Sequence, residues 1–281
     1  MFPCDSVAEL TGETHDYWVK PARSWALRAS PLRPAPEDLE IYEREIRQWH
    51  ETARSVPLRA LLLGVTPEIA AMSWPAGTQL LAADLSRPMI RGVWPGLGHM
   101  VVCATWVALP LADGMQDLVL GDGSFSVLTG AAYAAMSQSL RRVVRPRGLV
   151  LMRFYTRPDR PEAPASAFAD LRAGRIGSLH AFKWRLAMAL HGSLEAGVRL
   201  GDIWDAWHDA VPHPEDLARE RGWPLPVVLT MDDFREADTR YTFPTLSEAR
   251  AVMAAGFEEV SCHFPTYELG ERCPILAFRP R

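Results

Sequence analysis

No apolar run in this 281-residue chain approaches the length needed to cross a bilayer, so the sequence offers no membrane-spanning helix. Lysine is scarce and arginine common, neither forms runs, and the formal net charge is −4. A nucleic-acid backbone calls for a basic stripe, and none is present, so no nucleic-acid partner is expected. The lysine deficit itself reads as a trait of the coding genome. The cysteines Cys4, Cys103, Cys262 and Cys273 are scattered and make no CxxC. Neither a disulfide framework nor a metal site is indicated, and buried free thiols are expected. The opening MFPCDSVAEL lacks the basic and apolar segments of a signal peptide, which makes the cytoplasm the expected location. Internal repeats are also missing.

What is present is a hydrophobic content of 48%, enough for a sizeable core. Residues 1–35 are rich in Trp, Arg and Pro and read as an N-terminal arm. From Pro36 an amphipathic helix carries Leu39, Tyr42, Ile46 and Trp49 on one face, with Glu37 and Asp38 in its first turn. Apolar runs at Leu58–Leu63, Gln79–Ala83, His99–Cys103, Gln116–Leu120 and Leu149–Phe154 read as strands, separated by short helices at Glu68–Met72, Arg87–Trp94 and Ala131–Val144. This alternation implies a doubly wound parallel sheet over residues 36–156. It stops after Tyr155. Residues 157–228 read as a helical insertion, including a helix capped by Ser178 and closed by Gly192, and form a lid. Residues 229–281 complete the core with a capping box at Thr245 and Glu248 and two terminal strands near Glu259–Phe264 and Pro274–Phe278.

Three local stretches resemble the class I S-adenosylmethionine (SAM)-dependent methyltransferases. DLSRPM at Asp84–Met89 matches the D-x-S-x-x-M that follows the second strand. LPLADGMQDLVL at Leu109–Leu120 matches the approach to the fourth, and LRRVVRPRGLVLM at Leu140–Met152 matches the helix, turn and fifth strand. Their order and spacing agree with the family over roughly residues 58–155 and 240–280, about half the chain. The resemblance implies an α/β, Rossmann-like doubly wound sheet of seven strands, mostly parallel with an antiparallel last strand, carrying a helical insertion. It implies SAM as cofactor.

It also assigns residues. Gly64 stands at the first glycine of the SAM loop, but Thr66 and Glu68 replace the second and third, and Leu62 replaces an acid, so bare backbone cannot approach the methionine end in the usual manner. Glu68 is then expected to meet the cofactor's ammonium, and Tyr17, Trp18 or Arg33 from the arm its carboxylate. Asp84, twenty residues beyond Gly64, suits the ribose hydroxyls, although a strand-end acid also suits a helix cap. Ser86 caps the next helix, and Met89 packs under the adenine. Thr105 stands where the family carries an adenine-binding acid, and Trp106 can cover an adenine face. In the turn GDGS, Gly121 would offer a carbonyl to the ammonium. Asp122 would lie near the sulfonium, attracting positive charge or accepting a proton, unless it merely bonds its own turn. Trp184, Trp204, Trp207 and Trp223 of the insertion, with His180, His191 and His208, make either a substrate wall or a lid core, with His208 a candidate base.

The expected function is methyl transfer to oxygen or nitrogen of a small molecule. A catalytically silent methyltransferase-like module is the alternative, and a Rossmann-type NAD enzyme, which needs the missing glycines, a third. A homodimer is left open.

Overall fold

A computed structural model describes residues 17–53 and 57–281. Cys4 and residues 1–16 of the expected arm lie outside the described residues.

The strands are aliphatic on both faces because both faces are covered. β1 (Arg59–Leu63), β2 (Gln79–Asp84), β3 (Val101–Cys103), β4 (Gln116–Asp122) and β5 (Val144–Arg153) pair in parallel. In β1, Leu61 and Leu63 join a core with Met136 and Leu140 of the helix Tyr133–Val143 and Met253 of the helix Leu246–Ala254. Ala60 and Leu62 point the other way, into a second core with Tyr42, Ile46 and Trp49 of the helix Pro36–Ala53.

After β5 the chain leaves the sheet for the lid, whose helices are Pro164–Arg172, Leu179–Leu190, Leu200–Ala210 and Pro214–Arg221. The hydroxyl of Ser178 accepts from the Ala181 N–H and caps the second of these. A two-residue ladder, β6 (Val198–Arg199) against β7 (Arg240–Tyr241), ties the lid together. The lid has its own apolar core around Phe182, Leu186 and Trp207, which runs past residue 228 through Met231, Phe234 and Tyr241 and takes in Tyr17 of the arm.

β8 (Phe257–His263) and β9 (Ile275–Pro280) close the sheet in the order β3-β2-β1-β4-β5-β9-β8, with β9 antiparallel to both neighbours. The seven-stranded, mostly parallel Rossmann-like sheet with a helical insertion is therefore as the sequence implies. Several boundaries differ by a few residues, and two of them bear on the site. The segment Gly98–Met100 is a single 3-10 turn, which leaves β3 only three residues. β4 runs on to Asp122, because Gly121 and Asp122 keep register with Met152 and Arg153. Asp122 is thus a strand-end residue and not a free turn acid.

The helix Leu246–Ala254 starts from a complete capping box: the Glu248 N–H donates to Thr245 Oγ1 at 3.2 Å, and the Thr245 N–H donates to Glu248 Oε2 at 2.6 Å. Thr245→Ala should cost about 1 kcal/mol, read as a lower denaturant midpoint at unchanged slope, with Thr245→Ser restoring most of it.

Candidate functional site

In open α/β sheets, ligands bind beyond the carboxyl ends of the strands, where the chain order reverses. Here β1 lies between β2 and β4, and the ends of these three strands surround a cavity of about 710 Å³, counting the space open to solvent at its mouth. β1 leads into it at Gly64, whose φ of +95° an L side chain rarely adopts and whose N–H donates to Ala83 O at 2.8 Å. β2 contributes Asp84. Its Oδ1 accepts from the Ser86 N–H at 2.7 Å, and burial pushes its pKa up to about 7 against that hydrogen bond. Beyond β3 come Thr105 and Trp106, both lining the cavity. The Trp106 indole N–H donates to Ala83 O at 2.6 Å. The Thr105 hydroxyl oxygen is buried with no hydrogen-bond partner, as is that of Ser124, which lines the same space. Buried polar atoms left unpaired are costly, so these two mark where a polar ligand would be held. Met89 supplies an apolar floor.

The glycine loop is altered as its sequence indicates. Thr66 lines the cavity at the start of the five-residue helix Pro67–Ala71, with no side-chain cap bond. Glu68 and Arg33, expected to take the two ends of the amino-acid moiety, are instead bonded to each other: Arg33 Nε donates to Glu68 Oε1 at 2.5 Å. Neither lines the cavity, whereas Trp18 and Trp25 of the arm do. Gly121 also stays outside. Its carbonyl accepts from the Tyr42 hydroxyl at 2.9 Å, and the space a side chain would need is filled by Met152 and Ser124. Ser86 serves as the cap of the helix Arg87–Gly92, accepting from the Met89 N–H at 3.3 Å. His208, expected as a candidate base, is instead exposed, stacked on Trp204 with ring centroids 4.6 Å apart, and lines neither cavity.

A second cavity of about 650 Å³ continues from the first and shares Trp18, Trp25, Thr66, Asp122, Gly123 and Val127 with it. Its outer wall comes from the lid and arm, with Tyr155, Trp184, Phe234 and Tyr241 supplying rings and Arg28 and Lys183 supplying cations. Gly123, at the junction, has φ +61°, and a side chain there would meet the Tyr155 ring at 2.3 Å.

Asp122 is the acid at that junction. Arg153, at the end of β5, donates from Nε to Asp122 Oδ1 at 2.6 Å. Burial raises the Asp122 pKa to about 6, with Arg153 opposing the rise. A carboxylate so paired is a negative charge held in a fixed place.

Arg153 and Lys183 were not singled out from the sequence, although both left a trace there. Arg153 interrupts the apolar strand LVLMRF, and Lys183 sits between Phe182 and Trp184 in a chain whose other lysine is Lys20.

The sheet order and antiparallel β9 are those of the class I SAM-dependent methyltransferase fold. No protein-family model matches the chain, and no curated protein matches it at a significant level. Many solved structures do share its fold. The CcbJ methyltransferase of Streptomyces caelestis is 14% identical with a TM-score of 0.52, covering 95% of this chain and 99% of that one. A protein of Rhodobacter sphaeroides that carries the provisional name zinc-dependent alcohol dehydrogenase is 13% identical with a TM-score of 0.61, covering 95% and 97%. Among the described residues, no group of three or more His, Cys, Asp or Glu side chains is arranged to hold a metal ion, and no helix is long and apolar enough to cross a membrane.

The raised pKa of Asp84 gives a signed prediction. Folding favours its protonated form, so its contribution to stability is present below the unfolded pKa and is lost as pH rises through about 7. Asp84→Asn should therefore raise the melting temperature of the unliganded protein at about pH 8 and leave it nearly unchanged at about pH 4, measured by calorimetry.

Proposed function

We propose that the chain binds SAM in the cavity at the ends of β1, β2 and β4 and methylates a small molecule held in the second cavity under the lid. The observation that carries this reading is the spacing of polar groups along one cavity: the Asp84 carboxyl at the end of β2 and the unpartnered Thr105 hydroxyl after β3. Asp84 would accept both ribose hydroxyls, which supply the donors its buried carboxylate needs, and Thr105 would accept from the adenine amine. Met89 and Trp106 would enclose the adenine. SAM supplies a methyl group on a positively charged sulfur. Asp122, at the junction of the two cavities and held by Arg153, would favour positive charge there. The aromatic walls and the lid would align the acceptor and exclude water, the main contributions a protein makes to such a displacement.

The sheet speaks against the dinucleotide alternative. The NAD-binding order is 3-2-1-4-5-6 with parallel strands, whereas here antiparallel β9 stands beside β5. The likeness to CcbJ supports the methyltransferase reading at the level of fold.

One observation favours a second reading, the silent module. Glu68 and Arg33 neutralise each other beside the altered loop, where two partners of the cofactor's amino-acid end were expected. Calorimetry separates the readings. Binding of SAM and of its demethylated product, without binding of NAD, is expected, together with methyl transfer to some member of a small-molecule panel. Binding without any transfer would favour the silent module, and no binding of SAM or its demethylated product would overturn the methyltransferase reading. Asp84→Ala should weaken SAM binding by about a hundredfold, the loss of two hydrogen bonds to a charged group, while the variant still melts cooperatively.

A further inference from the structure

Lys183 is a buried amine in the wall of a cavity. It lines the second cavity from the helix Leu179–Leu190 and is 2% exposed. Buried lysines are ordinarily paired with a carboxylate, and among the described residues this one forms no ion pair. Its hydrogen bonds go to neutral oxygens: Nζ donates to Thr230 O at 3.0 Å and to Thr230 Oγ1 at 3.2 Å. That hydroxyl's own hydrogen is committed to Val227 O at 2.7 Å, so Thr230 Oγ1 acts toward Lys183 only as an acceptor. An ammonium has three donors, and two are used. The third has no oxygen acceptor among the described residues. The Phe234 ring, with its centroid 4.6 Å from Nζ, offers only a weak attraction.

The charges facing Lys183 leave it unbalanced. Arg28 of the arm repels it, and His180 lies one turn away on its own helix. Asp233 attracts it, but its carboxylate is taken by Arg28 at 2.8 Å. Asp232 attracts it too, while accepting from the Trp204 indole at 2.9 Å. Burial, with the Arg28 charge beside it, lowers the pKa to about 7 against the pull of Asp233 and Asp232. The rest of the wall combines the rings of Trp18, Trp25, Tyr155, Trp184 and Tyr241 with Thr66, Ser126 and Asp122, whose negative charge is paired with Arg153.

We infer that the second cavity takes a small aromatic carboxylic acid, bound as its anion, with Lys183 charged and supplying the counter-ion and the third hydrogen bond. This rests on the proposed function only in naming that molecule as the methyl acceptor. The pocket's preference for an acid is a property of this chain's own residues and can be read without cofactor. Lys183 is then a specificity residue, since a neutral amide of the same shape would leave the amine uncompensated. Binding the anion should draw a proton onto Lys183. Above about pH 7 the affinity should therefore fall as pH rises, by up to about tenfold per unit.

The test uses the full chain with benzoate, cinnamate and naphthoate against benzamide, cinnamamide and naphthamide as probes. At about pH 7, at least one acid should bind about tenfold or more tighter than its amide, and Lys183→Met should erase that preference. The chain's only lysines are Lys20, which is exposed, and Lys183, so carbon-labelled lysine gives two resonances, and the one missing from Lys183→Met is Lys183. In the wild type that resonance should titrate near neutrality and shift upward by about one unit or more with saturating acid. The variant serves only for the assignment; the titration and its shift are read on the wild type. Acids binding no tighter than amides throughout the panel, a preference that survives in a folded Lys183→Met, or a Lys183 titration that the acids leave unmoved would each overturn the inference. If the acids are preferred and SAM does not bind, this inference stands and the proposed cofactor falls.

Discussion

A single guanidinium holds together the parts that define both cavities. All five N–H donors of Arg153 are used inside the protein: on Asp122 of β4, on Asp38 and Tyr267, on the Pro31 carbonyl of the arm, and on the Tyr155 hydroxyl that leads into the lid. Asp38 in turn accepts from the Ala35 N–H and the Tyr267 hydroxyl. Tyr42, one turn further along the same helix, donates to Gly121 O and accepts from the Arg153 N–H. Burying one cation with two carboxylates is expensive, and an apolar replacement of the set can match it in stability. What the cluster achieves is geometry: helix, β4, β5, arm and lid meet at fixed angles around one planar group. Removing one partner alone would leave an uncompensated buried charge, typically at a cost of about 3–5 kcal/mol.

This constraint explains why the strand-end acid differs from an ordinary turn aspartate. Asp122 keeps one oxygen on Arg153 while its residue lines both cavities, so the protein holds a negative charge at their junction without leaving it free to wander. Asp84 is the opposite case. Its one recorded partner is a backbone N–H, and its carboxyl is driven toward the neutral form until some ligand brings donors. One acid is satisfied by the fold, and the proposed cofactor would satisfy the other.

The sheet was legible in the sequence because apolar runs of the right length, broken by Gly, Pro and caps, report secondary structure directly. That Asp84, Thr105, Trp106 and Met89 line one cavity was legible because they lie at or within a few residues of strand ends, so chain position and spatial position coincide. Arg33, Glu68 and His208 were not. Whether Arg33 meets a ligand or Glu68 depends on how an irregular arm folds back over 35 residues of chain, and no local pattern encodes that. His208 was placed by its company of tryptophans, but a helix has two faces. Trp207 on one is buried, and His208 on the next is in solvent. Lys183 was passed over for the opposite reason. Lysine scarcity looked like a property of the genome, and only burial shows that one of the two survivors occupies a place where its charge has a cost.

The arm is where the altered loop and the lid become one problem. Three arginine contacts fasten it: Arg28 to Asp233 of the lid, Arg33 to Glu68 beside the loop, and its Pro31 carbonyl to Arg153 of the sheet. Trp18 and Trp25, carried on this fastened segment, wall both cavities at once. A glycine loop would let backbone approach a ligand from below and would need no arm. Here Thr66 stands in that space, and the arm, pinned through Glu68, supplies another part of the wall. The loss of the glycines and the presence of the aromatic arm are therefore two sides of one arrangement, in which enclosure by large side chains replaces close approach by bare backbone.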